Sequence, residues 1–221
     1  MNRRELLAAA TAAVATLAAP ARSVFAADAS GQPSAAEMPF VTAVSADLTS
    51  RFATIEAAEK AGYFRYTDED DTGAISYTNL HWTSKDQTHP SQLWYDVKGR
   101  LIGCDFSVPY TSTPPKMFGL EPSRWQKFGA HVHYGLVGPS GTTVYGATGA
   151  KTMAKVGSSV DHPTAAALVA AGIAKKTSDV RFVFTFPAIW DVSMWVIPNS
   201  DGAFADKNPD VKPVNAKEMP M

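Results

Sequence analysis

Apolar and polar residues alternate over several short stretches of this chain, and that alternation predicts a β-rich fold. Val180, Phe182, Phe184 and Phe186 fall on one face of an extended segment. Residues 189–197 form a further strand after Pro187. Residues 92–97 and 100–108 flank Lys98-Gly99, a hairpin turn. Residues 130–137 lead through Pro139-Ser140-Gly141 into a short strand at 142–145. Residues 75–83 alternate more loosely. Helical spacing is found in three places. Phe52, Ile55 and residues 58–61 make an apolar stripe over 46–62, which stops at Gly62. Residues 121–128 follow Pro122 with Trp125 and Phe128 on one side. A third helix is expected at 165–171, capped by Asp161, with Pro163 early and Gly172 after it. Short turns between neighbouring strands favour antiparallel pairing. The predicted class is α+β: one curved antiparallel sheet with two or three covering helices, in a single domain over 43–198.

The two ends differ from this middle. Met1-Asn2-Arg3-Arg4-Glu5 is basic, 6–19 is rich in Ala and Leu, and Val24-Phe25-Ala26 closes the segment with small residues. This is the layout of a secretory signal, 1–26, cut after Ala26. Arg3-Arg4 followed by Leu6-Leu7 and a mildly apolar run matches the bacterial twin-arginine route, although the lysine that often follows is missing. The expected location is the periplasm or the medium of a bacterium. Residues 27–42, rich in Ala, Ser, Gly and Pro, are expected to be a flexible lead, and 199–221 an extended Pro-rich tail. No transmembrane segment is expected after cleavage.

Charge narrows the partners. Twenty Lys and Arg oppose 21 Asp and Glu, for a net charge of −1, and no basic stripe is visible, which argues against nucleic acid. Cys104 is the only cysteine, so no internal disulfide is possible. Its apolar surroundings over 101–108 predict a small buried side chain.

The strongest chemical feature is Ala130-His131-Val132-His133-Tyr134. In a strand, residues two apart share a face at about 6–7 Å, so His131 and His133 project together. Neutral imidazoles at that spacing suit one transition ion, zinc or copper. Further ligands would come from His81 or His89, with Asp105, Glu121 and Asp191 as other candidates. His162 sits in Asp161-His162-Pro163 at a helix start and is a weaker candidate. The competing reading is a pair that simply bonds its neighbours or faces solvent. Trp82, Trp94, Tyr95, Trp125, Trp190 and Trp195 suit either a core or the wall of a ligand cleft. Asp191, in an apolar strand, needs a partner, for which Arg181 or a histidine would serve. The acidic turn at 68–73 has incomplete spacing for a calcium loop and lacks its closing glutamate. Gly138-Pro139-Ser140-Gly141 lacks the flanks of a nucleophile elbow, and Gly135, Gly138 and Gly141 lack the lysine and helix of a phosphate loop.

Leu93-Trp94-Tyr95-Asp96 with Arg100-Leu101-Ile102-Gly103-Cys104-Asp105-Phe106 resembles the oil-body-associated protein family of plants and its bacterial relatives. In that family a similar hairpin precedes a Trp-x-x-His stretch. Here Trp125 and His131 to His133 come in the same order at longer spacing, and the histidine-rich segment before the hairpin is reduced to His81 and His89. The resemblance covers about a quarter of the chain and implies a shared sheet, with no catalytic residues to carry over.

Three functional readings follow. The first is a non-catalytic exported protein binding a small ligand or a metal through His131 and His133. The second is a metal-dependent enzyme with an open coordination position. The third is an envelope structural or interaction protein in which the histidines are incidental. The oligomeric state is not legible in the sequence.

Overall fold

The computed structural model describes residues 31–81 and 86–217. The expected export signal at 1–26 lies outside them. The chain is mixed α+β, and its described residues form four α-helices and two antiparallel sheets where the alternation pattern predicted one. The larger sheet has the order β1-β2-β3-β4-β9-β5 and the smaller the order β7-β6-β8. Their strands are β1 Phe64–Arg65, β2 Ile75–Thr78, β3 Gln92–Tyr95, β4 Leu101–Pro109, β5 Gln126–Phe128, β6 His131–Val137, β7 Thr143–Gly149, β8 Val180–Phe186 and β9 Ile189–Trp195.

Alternation decides what each sheet face meets. On β4 and β9, Cys104, Phe106, Val192 and Met194 face helix α1, Met38–Arg51, through its Phe40, Val44 and Leu48. On the smaller sheet, Val132 and Tyr134 face helices α3, Ala150–Lys155, and α4, Ala165–Ala170, through Met153, Ala167 and Leu168. The remaining faces meet each other. Tyr66, Phe184, Phe186 and Ile189 form an apolar cluster there, with Phe64, Phe128 and Phe182 packed against it. The layers therefore run helix, sheet, sheet, helix. The β3–β4 hairpin turns at Gly99, whose φ of 76° is strained for other residues.

Several boundaries differ from the periodicity. The stretch 46–62 divides into α1 and α2, Ile55–Lys60, because Thr54 caps a new helix by accepting from the Ala57 N–H. Helix α1 begins at Met38, inside the expected flexible lead. Its Glu37 is fully buried against Arg124. Residues 121–128 do not form a helix. One 3-10 turn, Pro122–Arg124, gives way to β5, which completes the edge of the larger sheet beside β9. Strand β2 ends at Thr78, where Asn79 binds the Ala61 carbonyl and the His81 N–H. Thr164, not Asp161, caps α4, accepting from the Ala167 N–H at 3.1 Å. Residues 198–217 form neither helix nor strand. They are tied down by Glu69, whose carboxylate accepts from the Val214 and Asn215 N–H groups. The carboxylate of Asp70 accepts from Thr72 and Ala74, so this acidic turn spends its oxygens on shaping the backbone.

Candidate functional site

Strand β6 places His131 and His133 on its inter-sheet face, opposite Phe186 and Phe184 of β8. Each imidazole stacks on its cross-strand phenyl ring, at 5.6 Å for His131–Phe186 and 5.7 Å for His133–Phe184. Tyr66, just after β1 of the larger sheet, meets His133 edge-on at 4.7 Å. The two rings converge until their Nε2 atoms are 3.1 Å apart.

The hydrogen bonds fix the protons. His131 Nδ1 lies 2.8 Å from the Gly129 carbonyl, which only accepts, so Nδ1 carries the hydrogen and Nε2 carries the lone pair. His133 Nε2 must then donate to His131 Nε2. That leaves His133 Nδ1 as a bare acceptor, buried and with no hydrogen-bond partner among the described residues. Burial holds both imidazoles below their ordinary range. The shift is stronger at His133, where the neighbouring His131 adds to it; at His131 the Gly129 carbonyl works the other way. Both rings are therefore neutral near pH 7, the form that ligates metals.

The other expected ligands lie in different surroundings. His81 is an exposed turn residue. His89, half-exposed, bonds Asp86 through Nδ1 at 2.8 Å. Asp105 accepts from Trp94 Nε1 and Ser193 Oγ at 2.7 and 2.6 Å. Asp191 accepts from Ser107 Oγ rather than from Arg181, whose guanidinium binds the Gly141 carbonyl. Glu121 is exposed at the 3-10 turn. Among the described residues, no three or more His, Cys, Asp or Glu side chains group where they could hold a metal. Any metal on the His131–His133 pair would complete its shell with water or a ligand. Cys104 is fully buried, and burial, with Asp105 beside it, pushes its thiol well above the ordinary range. It is a packing residue.

A second feature was not expected from spacing. A cleft of about 390 Å³ opens between the inner face of the larger sheet and strand β8. Phe184, Phe186 and Ile189 form its apolar side, and Thr78, Ser91 and Ser107 stand along its polar side. These hydroxyls come from β2, the start of β3 and β4, and no sequence interval links them. Asp191, which orients Ser107, is 84 positions from it in sequence. The only available signal was the run of small polar residues on strand faces otherwise filled by tryptophan and isoleucine. Of the large aromatics, Trp94, Tyr95, Trp125 and Trp195 are core, and Trp190 stacks on Tyr110. Trp82 lies outside the described residues. No family model, curated protein or solved structure matches this chain.

Proposed function

We propose that this is an exported, non-catalytic binding protein whose His131–His133 pair takes one divalent transition ion, zinc or copper. The observation that carries this reading is the 3.1 Å separation of the two Nε2 atoms. An ion at the usual 2.0–2.1 Å from both nitrogens would subtend about 100°, close to the tetrahedral angle. His131 is already set for the task. Its Nδ1–H is held by Gly129, the outer contact that orients a ligating imidazole, and its Nε2 lone pair, which accepts from His133 in the metal-free protein, becomes available to an ion once His133 gives up that proton. His133 needs only to move its proton from Nε2 to the unpartnered Nδ1.

Binding is favoured over catalysis by what surrounds the pair. Tyr66, Phe184 and Phe186 enclose the rings with aromatic surface, and among the described residues no carboxylate groups with the pair to share a metal. An ion held there meets no base to activate its water.

The test is titration of chelator-treated protein with Zn²⁺ and with Cu²⁺, followed by calorimetry and elemental analysis. One ion per chain, lost in both His131→Ala and His133→Ala and retained in His89→Ala, is the expected result. Binding unchanged by either of the first two substitutions removes the reading.

A further inference from the structure

The inter-sheet cleft carries a second site, and its chemistry follows from where three hydroxyl protons point. The Asp191 carboxylate only accepts, so Ser107 Oγ, at 2.5 Å, donates to it. Ser107 has then spent its proton, so Ser91 is the donor in the 2.7 Å contact between the two serine oxygens, and the same Ser91 hydroxyl also faces the Asp105 carbonyl at 3.1 Å. Ser91 Oγ also receives the Ser107 N–H at 3.1 Å. Thr78 Oγ1 donates to the Ser91 carbonyl at 3.1 Å. All three protons are therefore directed into the protein. What Thr78, Ser91 and Ser107 have left to offer is lone pairs, and all three line the cleft.

The rest of the lining fixes the complement. Asp161 is the one carboxylate at the cleft, His162 stands next to it in the lining, Asn79 turns its amide nitrogen to the Ala61 carbonyl, and no lysine or arginine lines the cleft among the described residues. An anion would meet three acceptors and a negative charge. Phe184, Phe186 and Ile189 supply apolar lining in the same cleft. A primary ammonium has three N–H donors and no acceptor, which matches a lining that offers hydroxyl lone pairs and a carboxylate. We propose that the cleft binds a small primary amine, its ammonium on Thr78, Ser91 and Ser107 and its apolar body against Phe184, Phe186 and Ile189. The volume lies at the small end of ligand sites, about 300–1,000 Å³, and suits a small molecule rather than a folded partner. This inference uses no metal and does not depend on the histidine pair.

The probe is 2-phenylethylamine, titrated into chelator-treated full-length protein and followed by calorimetry and by amide NMR shifts. Two analogues serve as controls: its N,N,N-trimethyl derivative, which has no N–H donor, and 3-phenylpropionate, which has the opposite charge. The expected result is saturable binding of the amine, with shifts centred on Phe184 and Ile189. The trimethyl analogue should bind at least about tenfold more weakly, and the carboxylate not at all. Ser107→Ala should weaken the amine by about tenfold. Thr78→Val keeps the side-chain shape while removing one acceptor. It should also weaken the amine, and it decides the question if the Ser107 variant does not fold. Three results would overturn the proposal: no saturation by about 10 mM amine, equal binding of the carboxylate, or an affinity unchanged by Thr78→Val.

Discussion

Glu37 and Arg124 join the front of the first helix to the edge of the larger sheet across 87 positions of sequence. Arg124 donates to both carboxylate oxygens of Glu37 at 3.0 Å, and the N–H groups of Ser34 and Glu121 donate to the same carboxylate. Burial alone would raise the Glu37 pKa. The Arg124 bonds, the two backbone donors and the arginine charge outweigh it and bring the group to about 2.

Replacing Arg124 with alanine strands a buried carboxylate and should cost about 3 kcal/mol, read by urea unfolding near neutral pH. The pH dependence has a definite sign. The folded-state pKa is depressed, so this carboxylate's contribution is fully present above its ordinary value of 4.5 and fades as pH falls toward about 2. The stability gap between the wild type and Glu37→Gln should therefore be largest above pH 4.5 and narrow in acid. A gap that widens below that value would contradict the assignment.

His133→Phe should abolish metal binding while leaving the melting temperature unchanged or higher. Phenylalanine keeps a ring between Tyr66 and Phe184 and removes a buried nitrogen that has no partner. Such a nitrogen typically costs about 1–3 kcal/mol. Thermal unfolding of the metal-free protein checks this, and a fall of several degrees would mean that the Nε2 contact to His131 stabilises the fold.

The C-terminal segment should loosen when Glu69 loses its charge. Its carboxylate holds the Val214 and Asn215 N–H groups, and its own carbonyl holds the Lys217 N–H. Glu69→Ala should speed amide exchange at these residues and expose 198–217 to limited proteolysis, with the sheets unaffected. The expected loss is about 1–2 kcal/mol of local stability.

Gly103→Ala should be costly. A Cβ built at Gly103 would stand 2.1 Å from Cε3 of Trp94, the residue opposite it on β3. Trp94 is held in place by its bond to Asp105, so the ring has little freedom to yield. A loss of about 1–3 kcal/mol is expected by chemical denaturation.

Export is tested separately. Changing Arg3 and Arg4 to lysine should trap precursor in the cytoplasm of an expressing bacterium if the twin-arginine route is used. Normal delivery of that double variant would assign the segment to the general secretory route.

Much of the sheet structure could be read from the sequence because its strands carry strong alternation. Val180 to Phe186 sets Val180, Phe182, Phe184 and Phe186 on one face, and His131 to Val137 alternates histidines with Val132 and Tyr134, so period two follows directly. The shared face of His131 and His133 follows from the same rule. Other elements have no such local signature. Gln126 to Phe128 has helix-like spacing, but the open edge of β9 draws it into the sheet. Helix α3 is Ala-Lys-Thr-Met-Ala-Lys, where Met153 alone is buried, so no stripe announces it. The partition into two sheets depends on which strands pair across long intervals, as β4 does with β9. The Thr78, Ser91 and Ser107 row arises from that pairing too. Serines and threonines in strands have no distinctive spacing until the strands are laid side by side.

Phe184 and Phe186 are a shared partition. Each stacks on an imidazole, and both line the hydroxyl-bearing cleft. An occupant of either site that displaced these rings would alter the other. Reciprocity then requires that any change in amine affinity produced by the metal be matched, factor for factor, by the amine's effect on the metal.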